Sequence, residues 1–313
     1  MDATTVRRAA AFVWLTGRVL DQRRMAHFTG GTGETRAGVL AALDAYATGD
    51  GGYAYALEPD IRGPLPQPLT AMTALRVLDE VDALDAGRAA PICGWLGRHV
   101  APDGGLPAVL PNIVDYPRPP WIGPPPQPAG GLLPTGRIVG LLRKHGVTAP
   151  WLDAAEAFCW DALQGLRTTH PYEVESAVAF LDHAPDRDRA ARMAARLGGL
   201  VRDLGLVLLD PAHPETGRPA PGYAAGEFHY AHDFAGTPES LAAQWFSERE
   251  LAASLEHLAA SQGDDGGWPI TWRQWAPTTE AEARPGRTVE ALRILRHWST
   301  SVNTDRAVTV TAY

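Results

Sequence analysis

A chain of 313 residues that is 45% hydrophobic and carries a formal net charge of −8 has the material for a large core and is poorly suited to binding nucleic acid. No apolar run reaches the roughly 20 residues a membrane-spanning helix needs. Arg7 and Arg8 precede only a short amphipathic run, so no secretory leader is expected and the expected location is the cytoplasm.

Helical periodicity dominates the chain. Residues 4–27 carry Phe12, Leu15, Val19 and Leu20 at helical spacing, and 34–48 follow with Val39, Leu43 and Tyr46. Residues 67–83 repeat the pattern with Leu69, Met72, Leu75 and Leu78. The segments 86–100, 133–146, 150–165, 172–184, 186–206, 246–262 and 287–299 continue it. A short helix is expected at 238–244, opened by Thr237-Pro238-Glu239. Cys93 and Cys159 fall inside apolar helical patterns and read as reduced core residues. Strand signals are almost absent. The tail 301–313 reads as a short strand or as disorder beyond a single domain spanning 1–300.

One turn recurs between these helices. Asp50-Gly51-Gly52-Tyr53, Asp103-Gly104-Gly105-Leu106 and Asp265-Gly266-Gly267-Trp268 are spaced by 53 and 162 residues, the second interval being three steps of about 54. Worn copies are expected near 157, where only Gln164-Gly165 is found, and near 211, where Gly217 to Tyr223 fits better. About six such steps fill the chain, which predicts a closed ring of six units. The long links at 49–66, 101–132, 207–236 and 263–286 would then share one rim. Function is expected there, at the N-termini of an inner set of helices.

Gln262-Gly263-Asp264-Asp265-Gly266-Gly267-Trp268 resembles the repeated turn of the terpenoid cyclase and protein prenyltransferase superfamily. The chain also resembles uncharacterised actinobacterial proteins of squalene-cyclase-like type, through segments such as Ala56 to Pro64 and Asp264 to Pro269. The resemblance implies an all-α (α/α)6 toroid, with about eleven or twelve helices in two concentric rings around an apolar cavity. The catalytic motifs of that superfamily do not carry over. There is no Asp-x-Asp-Asp acid motif and no Asp-Asp-x-x-Asp magnesium motif. The two cysteines lie within helices, away from any zinc site.

Two polar clusters remain as candidates. Glu58-Pro59-Asp60-Ile61-Arg62 follows the apolar Tyr53-Ala54-Tyr55-Ala56-Leu57, so one carboxyl held neutral by its surroundings would act as a general acid. Arg62 would hold its partner or an anionic substrate group, with Tyr53 and Tyr55 nearby. A salt bridge between Asp60 and Arg62 that fixes the loop is the structural counterpart. His229-Tyr230-Ala231-His232-Asp233 offers an acid–base pair in which Asp233 orients His232, with His229 and Tyr230 as substrate contacts. Its counterparts are a hydrogen-bonded loop that seals the ring and, without a third or fourth ligand in the motif, a metal site. Glu173 and Asp182-His183 read as helix-end residues. Trp121, Trp268, Trp272 and Trp275 gather in the long links, where aromatic faces would stabilise cations or stack on a flat ligand. Trp268 reads equally as a plug between repeats.

The expected function is acid-initiated cyclisation or isomerisation of an apolar isoprenoid-like or polycyclic small molecule. Glu58 or Asp60 is the expected donor and His232 with Asp233 the base, without cofactor or metal. A carbohydrate-active barrel with paired carboxylates and a non-catalytic ligand-binding toroid are the competing expectations. Oligomeric partners are not legible.

Overall fold

The computed structural model describes residues 2–124, 127–224 and 226–310, the last ten by their backbone. Among these residues there are twelve α-helices and no strand; Ala47 and Tyr53 form a lone antiparallel bridge. The helices are α1 (Ala3–Thr16), α2 (Val19–Gly30), α3 (Gly33–Asp44), α4 (Pro68–Glu80), α5 (Ala86–Gly97) and α6 (Leu132–Lys144). They continue with α7 (Leu152–Gly165), α8 (Pro171–Leu181), α9 (Arg187–Asp203), α10 (Ala231–Phe234), α11 (Glu248–Ala260) and α12 (Thr279–Val310).

Three elements differ from the sequence-based expectation. The helix expected over 4–27 is two helices, because Gly17 adopts an extended conformation (φ −74°, ψ 148°) after α1. The break changes the facing of the pattern. Leu20, Met25 and Phe28 are buried, whereas Leu15 is 86% and Val19 64% exposed. Residues 241–245 form a 3-10 turn in place of the helix expected at 238–244. The expected C-terminal strand or disordered tail is instead a continuation of α12 to Val310, since no Pro or Gly between 300 and 310 ends the helix. Residues 311–313 lie outside the described residues.

The chain divides into two compact units. One comprises Arg36–Leu200 and Trp275–Thr279; the other comprises Met1–Thr35, Val201–Gln274 and Glu280–Tyr313. In the first, α6 packs beside α4 and α8, while α5 and α7 flank α4, α6 and α8. Burial follows this layering. In α6 nine residues from Leu132 to Leu142 are buried, so nearly the whole helix circumference is covered. α5 and α7 each bury a single stripe, Ile92 with Trp95 and Leu96 in one, Ala155 with Cys159 and Leu163 in the other. Gly136 and Gly140 let α6 approach the carbonyls of Ser176 and Ala179 on α8, where any Cβ would collide. Cys93 and Cys159 are buried free thiols, and burial pushes Cys93 up to about 11. In the second unit Phe12 and Val13 of α1, Met25 and Phe28 of α2, and Val289 and Leu292 of α12 share one core with Trp268.

The three Asp-Gly-Gly turns are one structure repeated. Each Asp accepts a hydrogen bond from the second glycine, at 3.2 Å for Asp50, 3.0 Å for Asp103 and 3.0 Å for Asp265. Each first glycine has a left-handed backbone (φ 94°, 89° and 91°) that only glycine adopts freely. That glycine lies against a helix carbonyl, Pro91 of α5, Ala154 of α7 and Arg8 of α1 respectively. The second glycine lies against an aromatic ring one helical turn further on, Trp95, Phe158 and Phe12. The first two turns thus seat the next flanking helix of the chain, and the third seats α1, at the start of the chain. Near 157 the structure has α7 itself and no turn, while Gly217 packs against Phe228 and Leu208.

Candidate active site

The loop from Tyr53 to Gln67 joins the first turn to α4. Tyr55 and Ala56 are both left-handed (φ 59° and 58°), a conformation costing roughly 1–2 kcal/mol for each non-glycine residue. Buried Leu57 and Ile61 pin the loop on either side of Glu58 and Asp60. The Tyr55 amide donates to the Gly63 carbonyl at 3.0 Å, and the Ile61 amide to the Glu58 carbonyl at 2.9 Å. Gly63, also left-handed, lies against the Tyr116 ring. Strain of this kind persists only where surrounding contacts over-determine it, and it concentrates at working sites.

The strained loop holds two carboxylates in different environments. Glu58 Oε2 accepts from Thr73 Oγ1 of α4 at 3.1 Å. Asp60 Oδ1 accepts from the Trp275 indole Nε1 at 2.7 Å. The Arg62 guanidinium lies over the same indole, 5.7 Å from the ring centroid. Burial raises the Asp60 carboxyl above the usual carboxylate range. The indole hydrogen bond and the Arg62 charge both pull it down, and burial outweighs them. Asp60, Arg62 and Trp275 are thus one contact group in the unit that contains α4 to α8. Tyr53 is buried, and its hydroxyl is raised by burial and by the charge of Asp44. Tyr55 is 52% and Trp121 48% exposed, so both offer accessible aromatic surface.

The histidine cluster has a different character. His232 is 1% exposed, and its Nδ1 shares a 2.7 Å hydrogen bond with Ser254 Oγ on α11. Burial takes its pKa down to about 4, with Asp233 opposing the shift. Asp233 accepts from the Tyr230 amide at 2.8 Å and from Arg287 at 3.2 Å, and lies 3.5 Å from His232 Nε2. Burial acts to raise Asp233, but the charges of His232 and Arg287 prevail and hold it far below the carboxylate range. His229 stacks between Tyr223 and Phe234, its Nδ1 3.0 Å from the Tyr223 hydroxyl. Tyr230 stacks on His232 and meets the His257 ring at a tilt of 35°. The Nδ1 atoms of His229 and His232 thus each have a hydroxyl within hydrogen-bond distance. Among the described residues no three His, Cys, Asp or Glu are grouped to hold a metal ion.

The remaining candidates fall in several places. Trp268 is 1% exposed in the core of its unit, with its Nε1 donating to the Leu258 carbonyl at 2.7 Å. Trp272 is half-buried in the same unit. His170 Nδ1 accepts from the Tyr172 amide as the N-cap of α8, and Glu173 pairs with Thr169. His183 is lowered to about 4 by burial and by Lys144. Two groups escaped the sequence reading. Thr73 lies one helical turn after Leu69, with nothing in the sequence to mark it as the Glu58 partner. Glu227 is 4% exposed and raised by burial, its Oε2 accepting from the Ala224 amide at 2.9 Å. Its one signal is the preceding Gly226, left-handed at φ 83°.

The helical order and the repeated turns define an all-α protein of the α/α toroid class. Solved structures share this fold. A protein from Actinoplanes is 18% identical, with a TM-score of 0.57 over 94% of this chain and 98% of its own. The type II terpene cyclase MstE from Scytonema is 12% identical in its complex with merosterolic acid A, its product, with a TM-score of 0.51 over 94% and 96% of the two chains. In complex with geranylgeranyl dihydroxybenzoate, its substrate, it is 13% identical at a TM-score of 0.50 over the same shares. At these identities the likeness is one of fold. No protein-family model matches the chain, and no curated protein matches it.

Proposed function

We propose that the protein is a terpene cyclase-like enzyme that protonates an apolar isoprenoid-like or polycyclic small molecule and lets the resulting cation cyclise or isomerise. The observation that carries this reading is the Asp60 carboxyl, raised by burial on a strained loop and held by the Trp275 indole. An acid that protonates an alkene must be neutral before the step and stabilised as an anion after it. Burial moves the carboxyl toward the first condition, and the Trp275 N–H with the Arg62 charge supplies the second. In the step, the Asp60 proton and the alkene π pair form a new C–H bond, leaving a carbocation and the Asp60 carboxylate. After cyclisation the cation loses a proton from a neighbouring carbon, the C–H pair becoming a new π bond, and that proton passes to water or back to the Asp60 carboxylate. The Tyr55 and Trp121 faces offer quadrupoles to a cation or a flat apolar ring. Glu58, bonded to Thr73, is the orienting carboxylate of the pair.

In this reading His232 and Asp233 have a supporting part. They are tied to Ser254 and Arg287 and fix the segment that carries His229 and Tyr230. The fold shared with MstE supports the choice of substrate class.

The test is incubation with linear polyprenyl compounds, geranylgeranyl dihydroxybenzoate and squalene-type hydrocarbons among them, followed by mass spectrometry. Cyclisation leaves the mass unchanged and shifts retention. The expected result is such a product with wild type and a loss of about 10²–10⁴-fold in rate with Asp60→Asn at unchanged circular dichroism. Wild-type turnover by Asp60→Asn, or no turnover of any polyprenyl compound, overturns the reading.

A further inference from the structure

The corner between α1 and α2 turns apolar side chains outward. Trp14 is 50%, Leu15 86% and Val19 64% exposed. They are the last turn of α1 and the first residue of α2, separated only by the break at Gly17. Their neighbours Phe12, Val13 and Leu20 are buried, so the corner spends its apolar residues in two directions. It is also held firmly. Gln22 Nε2 donates to the carbonyls of Trp14 at 3.3 Å and Gly17 at 3.0 Å, capping backbone groups that the break leaves open.

Charge shows what faces this corner. Between Ala3 and Gly30 the chain has five arginines and one acidic residue, Asp21, although the whole chain carries −8. Asp21 is buried and bonded to Arg18 and Arg24. Arg8 is occupied with the carbonyls of Gly263 and Asp264. Arg7 and Arg23 are exposed. Arg7 precedes Trp14 by two helical turns, and Arg23 follows Val19 by one, so each shares a face with an exposed apolar residue.

We propose that this corner docks on the surface of an anionic lipid bilayer. Trp14, Leu15 and Val19 enter the headgroup–acyl boundary, and Arg7 and Arg23 meet lipid phosphates. An aromatic residue with aliphatic neighbours and flanking arginines fits an interface that is apolar on one side and anionic on the other. No described helix is long and apolar enough to cross a membrane, so the attachment is peripheral. A second copy of the chain is the weaker occupant. Three side chains present far less than the roughly 800 Å² each partner of a stable dimer buries, and a two-fold contact would set arginine against arginine. The proposal stands apart from the reading of Asp60.

The experiment is co-sedimentation of the full chain with vesicles of phosphatidylcholine alone and of equal parts phosphatidylcholine and phosphatidylglycerol. Wild type is expected to bind the anionic vesicles and to be released by salt. A variant combining Trp14→Ser, Leu15→Ser and Val19→Ser is expected to bind at least about tenfold more weakly. Its residues are exposed, so its thermal unfolding should match wild type. Arg7→Gln with Arg23→Gln should remove the preference for phosphatidylglycerol. The proposal is overturned if wild type binds neither vesicle or if the triple variant binds as wild type does. It is equally overturned if sedimentation velocity shows a dimer that the triple variant abolishes, which would make a second copy the occupant.

Discussion

The indole of Trp275 donates to Asp60 at 2.7 Å, joining residues 215 positions apart in sequence. The bond favours the ionised carboxylate, and so does the charge of Arg62, yet burial keeps the carboxyl above its ordinary range. Asp60 is thereby neutral over a wider span of pH than an exposed aspartate and still has a donor waiting for its anion.

Trp275→Phe removes that donor and leaves an apolar ring of similar shape. The pull toward the charged form weakens, so the Asp60 pKa moves further up. A reaction that needs the protonated acid then keeps its rate to higher pH, and the falling limb of the kcat profile shifts to the basic side. A carboxyl-carbon NMR titration of Asp60 should move in the same direction. An unchanged titration would mean that the indole does not govern this carboxyl.

Stability should respond with a definite sign. Because the folded-state pKa of Asp60 lies above its unfolded value, its contribution to folding is fully present below the unfolded pKa, about 3.9. It is lost as pH rises through the folded value. Above the unfolded pKa the raised folded-state value costs stability, because the unfolded chain gives up this proton more readily, so Asp60→Asn should melt at or above the wild-type temperature while losing activity. A clear fall in Tm for Asp60→Asn at pH 7 would argue that the carboxylate holds the loop together.

The helical layers and the turns were legible because both are written locally, as periodicity and as Asp-Gly-Gly. Gly17 was the exception. A lone glycine within a helical pattern does not announce a break, and the facing of Leu15 and Val19 followed from it. The candidate site was legible in part. Glu58, Asp60 and Arg62 are close in sequence, but the contact with Trp275 depends on how distant loops meet. The strain at Tyr55 and Ala56 is set by tertiary contacts that no propensity encodes. His232 illustrates the reverse difficulty. His-x-x-His-Asp has the composition of an acid–base pair, and only burial and the bond to Ser254 show what encloses it.

His232 should make the protein acid-sensitive in a known window. Its folded-state pKa of about 4 lies below the ordinary histidine value of about 6.5, so between these the unfolded state binds more protons. Stability therefore falls as pH drops from about 6.5 toward 4, by up to about 1.4 kcal/mol per pH unit for this one proton. Lowered His183 acts in the same window. Denaturant melts of wild type and of His232→Gln across this range should differ in slope, with the variant flatter. Parallel slopes would show that His232 is protonated without loss of its contacts.

The repeated turns give the last prediction, and it separates one helix from another. Gly266 is left-handed at φ 91°, and a Cβ there would meet the Arg8 carbonyl of α1. Gly104 stands in the same relation to Ala154 of α7. Alanine at either position carries backbone strain of order 1–3 kcal/mol before any displacement of the helix is counted. Gly94 on α5 is a control. Nothing stands near its Cβ position and its backbone is helical, so Gly94→Ala should be neutral or stabilising by up to about 1 kcal/mol. Overall stability, read from denaturant melts, should fall for Gly266→Ala and Gly104→Ala alone. Hydrogen exchange should then locate the damage. Gly266→Ala should speed exchange across residues 3–16, because the third turn seats α1, and leave residues 152–165 protected. Gly104→Ala should do the opposite. Equal loosening of both helices by either variant would mean that the turns do not seat particular helices.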